Sequence, residues 1–108
     1  MAMTESNVVP LGMNDENLRR RIAELARNSI KVFFTHHALK QMRRRRVLRS
    51  QVLHVLCKGR VTEHAHRNIH GNWQCTLEDT IAGDRIKVAA ALETDSDEGP
   101  VIVITVMN

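Results

Sequence analysis

Two adjacent histidines and four consecutive arginines frame the stretch FFTHHALKQMRRRR, residues 33–46. Histidine titrates near neutrality and can take or give a proton, while arginine keeps its charge and forks onto phosphate oxygens. These are the parts that metal-independent RNA cleavage needs: a base for the 2′-hydroxyl, an acid for the leaving oxygen, and cations on the crowded phosphate. A second group, His64, His66, His70 and Cys75, offers donor types that zinc accepts, with His64 and His66 two apart on an expected strand and so on one face. No paired CxxC and no HExxH accompanies them, and neither a phosphate loop nor a serine nucleophile motif is present. No metal or other cofactor is expected.

These residues need elements to position them. Asn14 reads as a helix cap because Asp15 and Glu16 follow in the first turn, and Leu18, Ile22, Leu25 and Ala26 repeat at helical spacing to about residue 28. Residues 30–34 are β-branched and aromatic and read as a strand. Thr35 caps a second helix with Ala38, Leu39 and Met42 on one stripe. Ser50 is the expected cap of a third, with Val52, Leu53 and Leu56 inward and Gly59 at its end. From Arg60 the period changes to alternation, so a meander of antiparallel strands follows, with turns at 70–72, 82–84 and 95–100. The last strand, VIVITVM, is continuously apolar and is expected at a central position covered on both faces. The fold class is α+β: a flexible arm at 1–13, then a single domain at 14–108 with N-terminal helices on one antiparallel sheet.

With 108 residues, one compact domain is expected. Sixteen Lys and Arg against 12 Asp and Glu give a formal charge of +4, which favours an anionic partner. No stretch is apolar enough to cross a membrane and no signal-peptide order opens the chain, so a cytoplasmic protein with free, buried Cys57 and Cys75 is expected. Phe33, Phe34 and Trp73 are the only aromatic residues. Trp73 falls on the apolar face of its strand, so a base-stacking platform is hard to build and RNA would be held mainly by charge.

Four successive arginines sweep about 300° of a helical wheel, so they cannot all face outward if the helix continues through them. Arg45 and Arg46 fall near the Ala38, Leu39 and Met42 stripe. Arg45 then either pairs with an acid of the sheet or joins His37 in a phosphate-binding concavity between helix and sheet.

The stretches FTHHALKQMRRRRV and SQVLHVLCKGRVTE, with the closing VIVITVM, resemble a small uncharacterised bacterial family known as a domain of unknown function. Its members open with F-T-x-H-A-x-x-x-M-x-x-R-G and close on an I-T-V strand, and the resemblance covers residues 32–107. That family looks related to RelE- and ParE-type toxins, which include metal-independent and ribosome-dependent ribonucleases and gyrase poisons. The resemblance sets its threonine on Thr35, its histidine on His37, its methionine on Met42, its arginine on Arg45 and its last threonine on Thr105. Arg46 stands where the family has a helix-ending glycine, a cost of about 1 kcal/mol if the left-handed conformation is kept. Leu48 stands where a capping serine is usual.

The resemblance implies a RelE/ParE-like fold and a toxin-type protein of a toxin–antitoxin-like system. It would cleave RNA without metal or target translation, with RNA or the ribosome as its object and a small antitoxin as partner. His37 and Arg45 are the expected catalytic residues, and Lys40, Arg43, Arg44, Arg46 and Lys87 the expected nucleic-acid contacts. The alternative is a non-catalytic module that binds nucleic acid or protein through the basic second helix. A zinc protein using His64, His66, His70 and Cys75 is the third.

Overall fold

A computed structural model of the chain describes residues 14–93 and 100–108. The arm at 1–13 and most of the turn at 95–100 lie outside the described residues. The elements are α1 (Asp15–Ala26), β1 (Val32–Phe34), α2 (His36–Arg45), α3 (Arg49–Lys58), β2 (Arg60–Arg67), β3 (Trp73–Ile81), β4 (Asp84–Leu92) and β5 (Val101–Met107). The protein is α+β, with three helices and a five-stranded sheet in the order β1-β5-β4-β3-β2. β1 intervenes between α1 and α2, so the helices do not all precede the sheet.

The sheet is mixed rather than antiparallel. β2 to β5 form the expected meander, but β1 pairs parallel to β5, Val32 beside Val101 and Phe34 beside Val103. The first strand is also shorter than expected. Ser29–Lys31 forms a 3-10 turn capped by the Asn28 side chain, which leaves Ile30 89% exposed. β5 is an interior strand, second from the edge, while the middle place belongs to β4. Among the described residues, helices cover only one face of β5.

That covered face is the core. Leu18 and Ile22 of α1, Val52, Val55 and Leu56 of α3, and Leu77, Ile86, Val88, Val101, Val103 and Val106 of the sheet are buried in one cluster. Each large side chain there contributes about 1.5 to 3 kcal/mol on leaving water. Ala38 and Met42 bring α2 into the same cluster. Cys75 is buried in it, and burial first, then the Asp15 charge, pushes its thiol up to about 12. Cys57 is free and half-buried.

An irregularity decides what β5 shows on its other face. Val103 pairs with Ala90 but Thr105 with Ala89, so Ile104 is an extra residue. The bulge reverses the alternation: Val101 and Val103 face the core before it and Val106 after it, and Thr105 is turned to the side away from the helices. An unbroken apolar run conceals this switch.

Chain ends of the helices follow from local chemistry. Asn14 Oδ1 accepts from Asn17 N at 2.8 Å, and Thr35 Oγ1 from Ala38 N at 3.0 Å. α3 starts two residues earlier than a Ser50 cap would place it. Leu48 holds the cap position, and Gln51 Oε1 accepts its N–H at 2.8 Å, supplying the bond that a serine would not have made. Gly59 closes α3 at φ −71°, where a Cβ would lie 2.5 Å from the Val55 carbonyl oxygen. Ala82 and Gly83, both at positive φ, form the two-residue turn between β3 and β4.

Arg46 ends α2 at φ 57°, ψ 41°, with Val47 N donating to the Met42 carbonyl at 2.9 Å. This is a Schellman ending made without glycine. Arg46→Gly is expected to raise stability by about 1 kcal/mol and the Tm by a few degrees, with an unchanged denaturant slope, because the backbone already adopts the glycine-favoured conformation.

Asp15 ties the start of α1 to β2. Its carboxylate accepts from Ala65 N at 2.7 Å and from His64 Nδ1 at 2.7 Å. The Ala65 N–H, then His64, holds Asp15 below its ordinary 3.8, and the hydrogen bond and charge of Asp15 raise His64 above 6.5. The His64 contribution is complete below pH 6.5 and fades as pH rises through its raised value. That of Asp15 is complete above 3.8 and fades as pH falls through its lowered value. The tie is therefore strongest between about pH 3.8 and 6.5. Thermal melts should show His64→Ala least stable relative to wild type in that window, with the gap closing at alkaline pH.

Candidate nucleic-acid interface

Thr35 places α2 against the sheet. Its N–H donates to the Val103 carbonyl at 3.1 Å and its hydroxyl to the Ile104 carbonyl at 3.1 Å, while the same hydroxyl caps α2. The helix then runs along β5, beyond the point where the three-residue β1 stops. His37 Nε2 lies 3.2 Å from Thr105 Oγ1, a hydrogen bond open to either proton placement, since both groups can donate and accept. Two turns further on, Arg45 Nη1 donates to Asn108 Oδ1 at 3.2 Å and Arg45 Nε to Gln41 Oε1 at 3.1 Å. His37, Gln41 and Arg45, four residues apart, thus form the flank of α2 that borders the helix-free face of the sheet.

On that face lie Arg85, Lys87, Ala89 and Ala91 of β4 and Gln74, Thr76, Glu78 and Thr80 of β3, with Thr76, Glu78, Ala89 and Ala91 buried among their neighbours. Arg45, Arg85, Lys87, Thr80, Met107 and Asn108 line an open concavity of about 720 Å³. Three cations and no acidic side chain line it. Beneath them Glu78, its side chain only 7% exposed, faces Arg85 Nε at 3.3 Å, Arg60 Nη2 at 3.6 Å and Lys87 Nζ at 4.0 Å. One acid facing three cations draws them together and leaves a surplus of positive charge at the surface. Such a surplus attracts phosphate.

Arg45 has no acidic partner among the described residues. Its partners are two neutral amides, and it is exposed, so its stem does not run over the core as the helical wheel had placed it. Lys40 and Arg43 border a second, smaller hollow with His36, His37 and Leu39. Arg44 and Arg46 are exposed and line neither hollow. The structure therefore brings Arg45 and Lys87 together, and His37, Lys40 and Arg43 together. It does not join His37 to Arg45, whose backbone positions are about 12 Å apart at 1.5 Å per residue. Arg85 and Glu78 were missed in the sequence, although both alternate with core residues on their strands and were legible as outward.

The second histidine group does not converge. Two register shifts in β2 break its alternation, His64 turns to Asp15, His66 Nδ1 lies 3.0 Å from the His64 carbonyl, and Cys75 is in the core. Among the described residues no three His, Cys, Asp or Glu side chains could hold a metal ion together.

The fold and this interface define a small α+β protein with a cationic seam between one helix and the sheet edge. It belongs to the family described as domain of unknown function DUF4258, whose model matches residues 34–108. No curated protein and no solved structure proved similar to the chain. No helix among the described residues is long and apolar enough to cross a membrane.

Because one hydroxyl both caps α2 and satisfies the carbonyl of the bulge, Thr35→Val should cost about 2 kcal/mol, from a lost cap and a carbonyl left without its donor. Chemical denaturation would measure it, and NMR shifts at Thr105 and Asn108 should show the seam loosened.

Proposed function

We propose that this protein acts on RNA as a toxin-type, translation-targeting protein, gripping the phosphate backbone along the seam between α2 and β5. The observation that carries this reading is the concavity in which Arg45, Arg85 and Lys87 meet with no acidic side chain among its lining residues. Glu78 offsets only part of the charge of Arg85 and Lys87, Arg45 has no acidic partner among the described residues, and the positive surplus that remains favours a phosphate. The hollow bordered by Lys40 and Arg43 extends the positive surface along the outer side of the helix. The resemblance to RelE- and ParE-type toxins supplies the biological setting, in which a small antitoxin would be the protein partner.

Binding is better supported than cleavage. His37 is exposed and held by Thr105, so it could accept the 2′-hydroxyl proton without a metal. The separation of about 12 Å along α2 puts Arg45 nearer to a neighbouring phosphate than to the one His37 would serve. A non-catalytic RNA-binding module is therefore the second reading, favoured by that same separation.

Fluorescence anisotropy with labelled RNA across a salt series tests the grip. Wild-type affinity should fall steeply with salt, and Arg45→Ala should lower the slope of log K against log salt by about one while changing the Tm by no more than a few degrees. A loss of ten degrees or more for Arg45→Ala would make that arginine scaffolding. Incubation of RNA in chelator separates the two readings: cleavage lost in His37→Ala with binding retained supports the ribonuclease, and intact RNA with wild type supports the module.

A further inference from the structure

We propose that Phe33 is a base-stacking platform and that the RNA held along the seam is single-stranded, an inference that rests on the RNA-binding reading above. Phe33 is the middle residue of β1, between buried Val32 and Phe34, and it is 58% exposed on the helix-free face. Its partner there is Ile102, followed across the sheet by Ala91. The other two aromatic rings are engaged elsewhere: Phe34 is in the core under the Arg49 guanidinium at 4.4 Å, and Trp73 packs on the core with Arg67 over it at 5.3 Å. Phe33 alone among them offers an open face.

Its position is what assigns the role. Phe33 precedes His37 by four residues, and His37, Gln41 and Arg45 continue the same line along α2 to the Lys87 and Arg85 cations. An aromatic ring stands at one end of the line and a phosphate-attracting basin at the other. Between them half-exposed Ile102 lies beside the ring and half-exposed Thr105 further along β5, with Ala89 buried next to Thr105. The span from Phe33 to Arg45 is at most about 22 Å, counting two extended residues to Thr35 and ten helical residues beyond it. A single strand of a few nucleotides can lay its backbone along such a line and turn one base onto the ring, since every base has a stackable face. A duplex keeps its base faces stacked inside, out of reach of a ring lying on a sheet. The three cations complement a polyanion rather than an apolar protein surface, which is why RNA rather than a protein is assigned to the exposed ring.

The test uses the intact chain with a labelled ten-nucleotide RNA, alone and annealed to its complement, at several salt concentrations. The single strand should bind more tightly than the duplex. Phe33→Leu, which keeps an apolar side chain but removes the ring face, should weaken single-strand binding about tenfold without altering the salt slope, and Phe33→Trp should keep or improve it. Both variants should melt within a few degrees of wild type, because the ring is exposed. If Phe33→Leu binds like wild type while Arg45→Ala still lowers the salt slope, stacking is overturned and the RNA reading stands. Equal affinity for duplex and single strand would overturn the choice of substrate. If wild type binds neither RNA, both readings fall, and Phe33 becomes a contact for a protein partner.

Discussion

The seam depends on one hydroxyl. Thr35 stands where β1 stops and α2 starts, and its side chain must satisfy both. It accepts the Ala38 N–H that opens the helix and donates to the Ile104 carbonyl, which the bulge has taken out of the regular ladder. A buried or half-buried carbonyl without a donor is costly, so the bulge and the cap stabilise one another through a shared atom. Everything that α2 contributes to the interface is aimed from that point: His37 onto Thr105, Arg45 onto Asn108.

Most of the architecture was readable from residue types, because the forces involved are local. Asn14 and Thr35 as caps, Gly59 as a stop, and the alternation in β3 and β4 each depend on a few neighbouring residues, and the structure has them. Non-local features were not readable. The parallel partner of β1 lies some 70 residues away, and VFF carries no sign of which strand it will meet. The bulge at Ile104 is hidden because its neighbours are all apolar, so the parity switch that exposes Thr105 leaves no mark in the sequence. Ser50 was read as a cap because serine commonly is one, but Gln51 reaches back to Leu48, which sets the cap two residues earlier.

The interface shows the same division. The basic residues were visible, but not which of them meet. Arg45 and Lys87 come from a helix and a strand that are adjacent only because α2 lies along β5. Arg44 follows Arg43 in sequence yet lines neither hollow, since a step of 100° on a helix outweighs adjacency in the chain. Glu78 mattered in a way that counting charges misses: it lowers the net charge by one and yet gathers three cations around a single point. Phe33 was set aside with the other aromatics because they are few, when what distinguishes it is that its ring is left uncovered.

The bond from Thr35 to Ile104 joins residues 69 apart in the chain. The hairpins of the meander close short loops and can form early, whereas bringing β1 and α2 onto β5 means closing most of the chain, a cost in loop entropy met only once the meander is there to receive them. The order of assembly is therefore expected to be meander first and seam last, and pulse-labelled hydrogen exchange should find the Thr35 and Ala38 amides among the last to gain protection. On that order, the chain carries its arginines for most of its folding time without the arrangement that gathers them, and the cationic seam exists only when folding is complete.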